Sequence, residues 1–338
     1  KDLNIIHLAE RLQEEQQINV SRETVRKILK SAGLRVSSTR RSRRVKPFLM
    51  ASREGKIVLW GGFTGAWFPQ PHPECSLMAA IDAATLKCLA ARFFPAESSE
   101  GFLWLLKKIV SDYGIPEALC QHNGQAVKKS GKWTLAEELR GKKAPSQVER
   151  ALQLLGIMPC RERKKHVKPV IMNFRSLLLK KIASLAVTCI TEGNLFLEHE
   201  FKFDYNRRHA FSNEGLRKAW REVPSGMSID RICSTYHEAT VDSFNKVSVE
   251  DVEIKIPPGP DRISYAMARV EVRRLLNGIW HVYYKDRLIA ACAPRSFPSI
   301  DFVLLKHYWP FKTRPARTDC PNRMYTSLIN DPAYWHII

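Results

Sequence analysis

Three groups of residues in this sequence have types and spacings that could do chemistry: scattered thiols and imidazoles, isolated carboxylates, and a dense run of guanidinium groups. Eight cysteines stand at 75, 88, 120, 160, 189, 233, 292 and 320, at long, irregular intervals and without any Cys-x-x-Cys. That pattern fits neither a zinc knuckle nor a disulfide framework. His72-Pro-Glu-Cys75 is the nearest approach to half a metal site, but a metal needs three or four ligands and no second half has matching spacing. It reads as a loop, and no protein-held metal is expected. Unpaired thiols fit a reducing, cytosolic compartment.

The guanidinium run is more informative. Arg35, Arg40, Arg41, Arg43, Arg44 and Lys46 follow one another with no acidic residue before Glu54. Mutual repulsion keeps such a cluster out of any core. An extended linker tracking a phosphate backbone is the role it fits, with affinity that is salt-sensitive and indifferent to base sequence. The whole chain agrees: 54 Lys and Arg against 34 Asp and Glu in 338 residues give a formal charge of +20. A polyanion is the implied partner, nucleic acid first. A membrane is disfavoured, because no apolar run approaches the roughly 18 residues that a spanning helix needs. With 44% apolar and 26% charged residues, the chain has the balance of a globular protein of two or three domains. No secretory signal pattern opens it, and a first residue Lys1 in place of Met points to a natural start upstream.

The elements that would position these groups follow from periodicity. Ile5, Leu8, Ala9 and Leu12 fall on one helical face; a turn spans 17–20. Ser21 is placed as an N-cap for a second helix whose apolar face is Val25, Ile28, Leu29 and Ala32, ended by Gly33. Two short helices around a tight turn form a helix-turn-helix, leaving Arg22, Thr24, Arg26, Lys27 and Lys30 outward to meet phosphates and base edges. From Lys56 strands and helices alternate. Strands are expected over 56–60 and 76–94, the latter broken by a turn at 82–87. A helix follows over 99–113, then a strand over 118–121. Capping boxes at Thr134-Leu-Ala-Glu137 and Ser146-Gln-Val-Glu149 open two more helices. A strand over 155–160 and a helix over 171–186 complete a mixed α/β domain with a helical insertion. Beyond Arg208 a polar stretch leads to strands over 246–256, 263–275 and 279–284. Asn277-Gly278 marks a hairpin, and the set is enough for a small barrel. The expected division is helix-turn-helix 1–34, basic linker 35–55, mixed α/β core 56–210 with its insertion at 130–156, linker 211–245, small β-barrel 246–293, and a tail 294–338 without clear periodicity.

This order of parts, and several stretches within it, resemble bacterial insertion-sequence transposases of the DDE, retroviral-integrase-like superfamily. Val20-Ser-Arg-Glu-Thr-Val-Arg26 resembles the start of their recognition helix, and Leu77-Met-Ala-Ala-Ile-Asp-Ala-Ala-Thr85 their second core strand and turn. Asp112-Tyr-Gly-Ile-Pro116 is similar to the end of the first core helix, Trp133-Thr-Leu-Ala-Glu-Glu-Leu139 to the insertion, and Asp204-Tyr-Asn-Arg-Arg208 to the exit from the core. Ile256-Pro-Pro-Gly-Pro260 and Val282-Tyr-Tyr-Lys-Asp-Arg-Leu-Ile289 resemble the barrel. The likeness covers about residues 5–292.

It implies a multidomain α/β architecture with a ribonuclease-H-like integrase catalytic core, and a chemistry of two-metal phosphoryl transfer. In that chemistry, three carboxylates hold two magnesium ions. This sequence departs from the family at each of the three. Gly61, followed by Gly62 and Phe63, stands where the first is expected. His122 stands at the second, or Asn123 if the length differs by one residue, and Ile171 at the third. Glycine and isoleucine bind no metal, and neutral imidazole suits zinc better than magnesium. Two acids are weak alternatives: Asp82, in the turn after the second strand, and Glu162, before the last helix. The resulting expectation is a transposase-derived protein that binds double-stranded DNA at element ends through its helix-turn-helix and linker but does not cut it. No cofactor is expected, although magnesium serves the family. The family also implies a homo-oligomer on DNA and a nucleoid-associated place in a bacterial cytoplasm. A working transposase with relocated or misaligned carboxylates, and a decaying copy without function, are the alternatives.

Overall fold

The computed structural model describes residues 8–9, 12–13, 16–33, 52–69, 72–121, 138, 141, 143–160, 164–185, 187–211, 217–260 and 262–293. The chain divides into two compact units, Lys1–Leu49 and Met50–Ile338.

In the first unit, α1 (Arg22–Ser31) starts as expected: Ser21 is extended, and its Oγ accepts the Thr24 N–H at 3.1 Å. Val25 and Leu29, one turn apart, are buried against Ala9, with Leu8, Leu12 and Val20 partly buried around them. Residues 8–9 and 12–13 are helical; Ile5 lies outside the described residues. The apolar face is narrower than its periodicity suggested. Ile28 flanks the Val25–Leu29 stripe and is 58% exposed, and Ala32 is also exposed. The expected basic linker, including Arg40, Arg41, Arg43 and Arg44, lies outside the described residues.

The second unit is built on a five-stranded mixed sheet with helices on both faces. Its strands are β1 (Ile57–Gly65), β2 (Cys75–Asp82), β3 (Cys88–Phe94), β4 (Ala118–Gln121) and β5 (Met158–Pro159). They lie in the order β3-β2-β1-β4-β5; β1, β2 and β3 are antiparallel neighbours, while β4 runs parallel to β1 and β5 parallel to β4. Every residue of β2 is buried, as a strand covered on both faces requires. On one face α2 (Ser99–Tyr113), N-capped by Ser98, presents Phe102, Leu105, Leu106 and Ile109 to Val58, Trp60, Met78 and Ala80. On the other face α4 (Lys164–Leu185) lays Val167, Ile171, Phe174, Leu178 and Ile182 over Leu59 and Phe63. Between β4 and β5, α3 (Gln147–Leu154) carries the expected reciprocal cap of Ser146 and Glu149. The Thr134 box lies outside the described residues.

Several boundaries differ from expectation. β1 runs on to Gly65, and β5 shrinks to two residues because Leu155 is the C-cap of α3. α4 starts at Lys164, not Ile171, and carries Pro169 inside it. Proline lacks an N–H and crowds the preceding turn, so the sequence suggested a start beyond it. A further helix was missed altogether. α5 (Ile190–Phe196), a π turn (Leu197–Phe201) and α6 (Lys202–His209) run on end to end. The π turn shifts the apolar phase, so buried Phe196, Leu197, Phe201 and Tyr205 do not keep one steady helical spacing.

That helix protects the outer edge of the sheet. Asn194 accepts the Phe93 N–H at 2.7 Å and donates to the Phe93 carbonyl at 3.1 Å. Asn206, from the Asp204–Arg208 stretch, makes the same pair of bonds to Cys88 at 2.7 and 3.1 Å. Two carboxamides thus occupy backbone groups that an edge strand would otherwise offer to another chain.

The β module follows. β6 (Thr235–Thr240), β9 (Arg269–Arg274), β10 (Trp280–Tyr284) and β11 (Arg287–Cys292) form an antiparallel sheet ordered β11-β10-β9-β6. β7 (Lys246–Val249) and β8 (Val252–Lys255) form a separate ribbon packed on the same core of Val247, Ile254, Val272, Trp280 and Val282. The Asn277-Gly278 hairpin is present, with Gly278 at φ +83°. The expected strand over 246–256 is instead this tight hairpin, turning at Glu250 (φ +51°), and the one over 263–275 shortens to β9. β6 and α7 (Ile229–Ile232) fall in the stretch expected to be a linker. The expected small barrel is not a closed one among the described residues, because β7 and β8 pair only with each other. The module is joined firmly to α3. The Gln147 carboxamide exchanges two hydrogen bonds of 2.8 Å with the backbone of Tyr236 on the outer edge of β6, and the Arg150 guanidinium donates to the Ser234 carbonyl at 2.6 Å.

Candidate functional site

The place to look for chemistry is the carboxyl end of the parallel pair β1 and β4, where backbone directions and the α4 helix converge. Gly61 lies there, buried within β1 opposite Ala79 and between Leu59 and Phe63, which share its face by strand alternation. Ile171 lies two turns into α4, fully buried, in the same cluster as Leu59, Phe63 and Cys120. Two of the three expected ligand positions are thus brought onto one face. What they form together is apolar core. His122, Asn123 and Glu162 lie outside the described residues.

Asp82 is buried but fully occupied. Its Oδ1 accepts the Gly55 N–H at 2.9 Å, and its Oδ2 accepts Ala84 N, Thr85 N and Thr85 Oγ1 at 3.1, 2.8 and 2.8 Å. Burial pushes its carboxyl above the usual range, those bonds oppose the shift, and nearby Glu54 adds to it. In register it faces Val58, three residues from Gly61, or about 10 Å along the strand. It closes the turn between β2 and β3 and sits at the wrong end of β1 for a shared metal.

One carboxylate that sequence reasoning did not single out lies close to this end of the sheet. Glu97, just before α2, rests against Gly62. A Cβ on that glycine would come within 2.8 Å of the Glu97 Cδ, so a larger residue there would push the carboxylate aside. Its Oε1 is buried without a hydrogen-bond partner, and burial raises its pKa. Gly62 faces the α2 side of the sheet, so Glu97 and the Gly61 position are on opposite faces. Nothing in its spacing signals this contact, which arises only when the β3–α2 connection folds over β1. A cation borders the other face: Arg175 of α4 lies over Trp67 and Phe63, 5.5 and 6.0 Å from their ring centres, with its Nε buried and unpartnered. His72 places its Nδ1 2.9 Å from the Pro73 carbonyl, and burial pushes the Cys75 thiol up to about 11. Among the described residues no group of three His, Cys, Asp or Glu could hold a metal ion.

On α1, Arg22, Thr24, Arg26, Lys27 and Lys30 are all exposed, as expected. The Thr24 hydroxyl is shared with the N-cap, 2.8 Å from Ser21 Oγ, and Arg26 lies 3.8 Å from Glu23.

No protein-family model matches the chain. A protein of Sinorhizobium fredii described as a candidate transposase, y4bF, is 29% identical over 344 residues, spanning 96% of this chain and 74% of its own length. This chain is similar to a transposase. The likeness runs through the N-terminal unit, the core and the β module alike, so it is not borrowed from one common domain. Solved structures similar to this chain include the HTLV-2 integrase catalytic core domain in complex with magnesium, at 14% identity, TM-score 0.28, and coverage of 41% of this chain and 82% of that one. The simian T-cell lymphotropic virus intasome in complex with the B56 gamma subunit of PP2A matches at 12% identity and TM-score 0.31, over 70% of this chain and 79% of that one. No helix among the described residues is long and apolar enough to cross a membrane.

Proposed function

We propose that this chain is a transposase relative that binds DNA and does not cut it. The observation that carries the reading is Ile171, fully buried in a continuous apolar stripe of α4 and sharing its cluster with the residues that flank Gly61. Two-metal phosphoryl transfer needs oxygen ligands fixed around a solvated pair of cations. Glycine and isoleucine supply none, and the surrounding core excludes the water that magnesium keeps. The residues therefore do not fit the metal of the family. A strand order of 3-2-1-4-5, with the first three strands antiparallel, supports a ribonuclease-H-like core retained as a scaffold.

DNA contact is assigned to the exposed Arg22, Arg26, Lys27 and Lys30 of α1 as a recognition helix, and to the basic linker after it. The charge of +20 supports a backbone-dominated, salt-sensitive affinity. A strand-transfer assay with manganese and a labelled element end tests the silent core. No joined product is expected, and metal-dependent joining that Asp82→Ala abolishes would overturn the proposal. Binding is tested by gel retardation of duplex DNA, with affinity falling steeply between low and moderate salt. Changing Arg40, Arg41, Arg43 and Arg44 together to Ala should flatten that dependence; an unchanged slope removes the linker from the interface.

A further inference from the structure

Two thiols meet where the core sheet ends at β5. β4 and β5 run parallel, with Ala118 opposite Met158 and Leu119 opposite Pro159, and the ladder continues one step further because Cys160 N donates to the Leu119 carbonyl at 2.8 Å. The next pair in that register is Cys120 with Cys160. Opposed residues of a parallel pair share a face of the sheet. Both thiols are on the α4 face: Cys120 is buried in the cluster with Leu59 and Ile171, and Cys160, half-buried, packs against that cluster. The Cys120 Sγ donates to the Cys160 carbonyl at 3.2 Å, which aims the thiol at its neighbour.

Adjacent strands lie about 4.8 Å apart, and side chains standing roughly square to the sheet keep that spacing at Cβ. A disulfide needs Cα atoms about 4.4–6.8 Å apart and Cβ atoms about 3.5–4.5 Å apart. The pair meets the first condition and misses the second by roughly a few tenths of an ångström. β5 is two residues long and stands last in the sheet, so a small inward shift of its end closes the gap. The other thiols on the strands of the core sheet are out of reach. Cys88 lies in the same row as Cys120 but three strands away, across Leu59 and Ile81, about 14 Å off. Cys75 faces Gly65, six residues along β1 from Leu59, or about 20 Å further on.

We infer that Cys120 and Cys160 are a peroxide-sensitive dithiol, oxidised to an intramolecular disulfide and restored by thiol reductants. Cys160, the more exposed of the two, reacts first. Its sulfur attacks hydrogen peroxide, the O–O bond breaks, and one water leaves as Cys160 becomes a sulfenic acid. The Cys120 sulfur then attacks that sulfenic sulfur, the S–O bond breaks, the S–S bond forms, and a second water leaves. Two thiols and one peroxide thus give one disulfide and two waters, with two electrons passing from sulfur to peroxide. The wide Cβ spacing leaves the bond strained, and strained disulfides are the readily reduced ones. The bond would also close the chain over 40 residues that include α3, whose Gln147 and Arg150 hold β6. None of this depends on whether the chain binds or cuts DNA.

The full chain, treated with hydrogen peroxide under native conditions, alkylated and mapped by mass spectrometry, tests the inference. The expected product is a linked Cys120–Cys160 peptide pair, lighter by two hydrogens, in on the order of tenfold excess over any other cystine, and reduced glutathione should reverse it without denaturant. Cys120→Ser should leave Cys160 to proceed to sulfinic acid, and Cys120→Ala, which puts no hydroxyl into the core, should do the same. Cys160→Ser should leave the buried Cys120 unoxidised. A Cys160 that peroxide does not touch, or that goes to sulfinic acid in the wild type beside an intact Cys120, overturns the inference. So does a bond that forms only in urea, or a dominant cystine between other thiols. A bond that glutathione leaves intact overturns its reversibility.

Discussion

A side chain at position 171 is fully buried in an apolar cluster. Val167, Phe174 and Leu178 flank it along the helix, and β1 closes the cluster from below. Shortening it by Ile171→Ala should cost about 2–5 kcal/mol, the range for buried aliphatic truncations whose cavity cannot collapse. Urea unfolding reads this directly, and a loss below about 0.5 kcal/mol would mean that the position is open to solvent. Glu97 makes a prediction of opposite character. Burial raises its pKa in the folded state, so the folded protein prefers it protonated. Its contribution is fully present below the ordinary pKa of about 4.3 and is lost as pH rises through the folded value. Glu97→Gln should therefore melt higher than wild type at neutral pH, with the gap closing toward about pH 4. A gap that does not change with pH would show that the carboxylate is not desolvated. Sequence placed Asp82 in the turn after the second strand, and the structure shows it bonded to the N–H groups just after it. Glu97 was illegible, since its environment is set by a loop crossing a strand far away in sequence.

Among the elements, the long helix from Ile190 to His209 does two things at once. It covers the sheet with Phe196, Phe201 and Tyr205, and it delivers Asn194 and Asn206 to the β3 edge. Each alanine substitution there leaves one backbone N–H and one carbonyl without a partner, at about 1–3 kcal/mol per position. The double variant Asn194→Ala/Asn206→Ala should unfold at lower urea and scatter light at concentrations where wild type stays clear. A clear, destabilised solution would mean that the helix body alone guards the edge. α2, β4 and the Ser146 cap were legible to the residue because their signals are local. α4 was misplaced at its start by a proline that the packing against β1 tolerates. The 190–209 helix was missed because a π turn breaks its period, although an apolar pattern allowing one extra residue per turn would have found it.

At the scale of the whole molecule, Arg150 of the core reaches the edge of an ionic network in the β module. Tyr236 lies between Arg150 and Arg273, their guanidinium carbons 5.4 and 4.9 Å from its ring centre, and Glu271 receives Arg273 and Arg231 at 2.6 and 2.9 Å. Burial pushes the Glu271 carboxyl up, but those two arginines outweigh it and hold the group below its ordinary range. A depressed pKa stabilises the fold above the unfolded value and loses that effect as pH falls through the folded one. Hydrogen exchange in β6 and β9 should therefore accelerate below about pH 4, ahead of exchange in β2, and Glu271→Gln should remove the pH step while leaving faster exchange at all pH values. Exchange that rises equally in both sheets would rule the network out as the weak point. The mixed α/β core was readable from periodicity and motifs. The open sheet and the docking of β6 were not, since both depend on contacts such as Gln147 with Tyr236, 89 residues apart.

The carboxamide clamps on β3 carry a consequence for synthesis. Asn194 and Asn206 lie 101 and 118 residues beyond the strand residues that they cover. A ribosome adding about 5–20 residues per second needs about 6–24 s to make the longer of these intervals. For that time β1, β2 and β3 can exist as a three-stranded sheet with a bare outer edge. The nascent chain thus passes through a vulnerable window whose length is set by the distance from Cys88 to Asn206, and a stall before the last core helix would leave a sticky product.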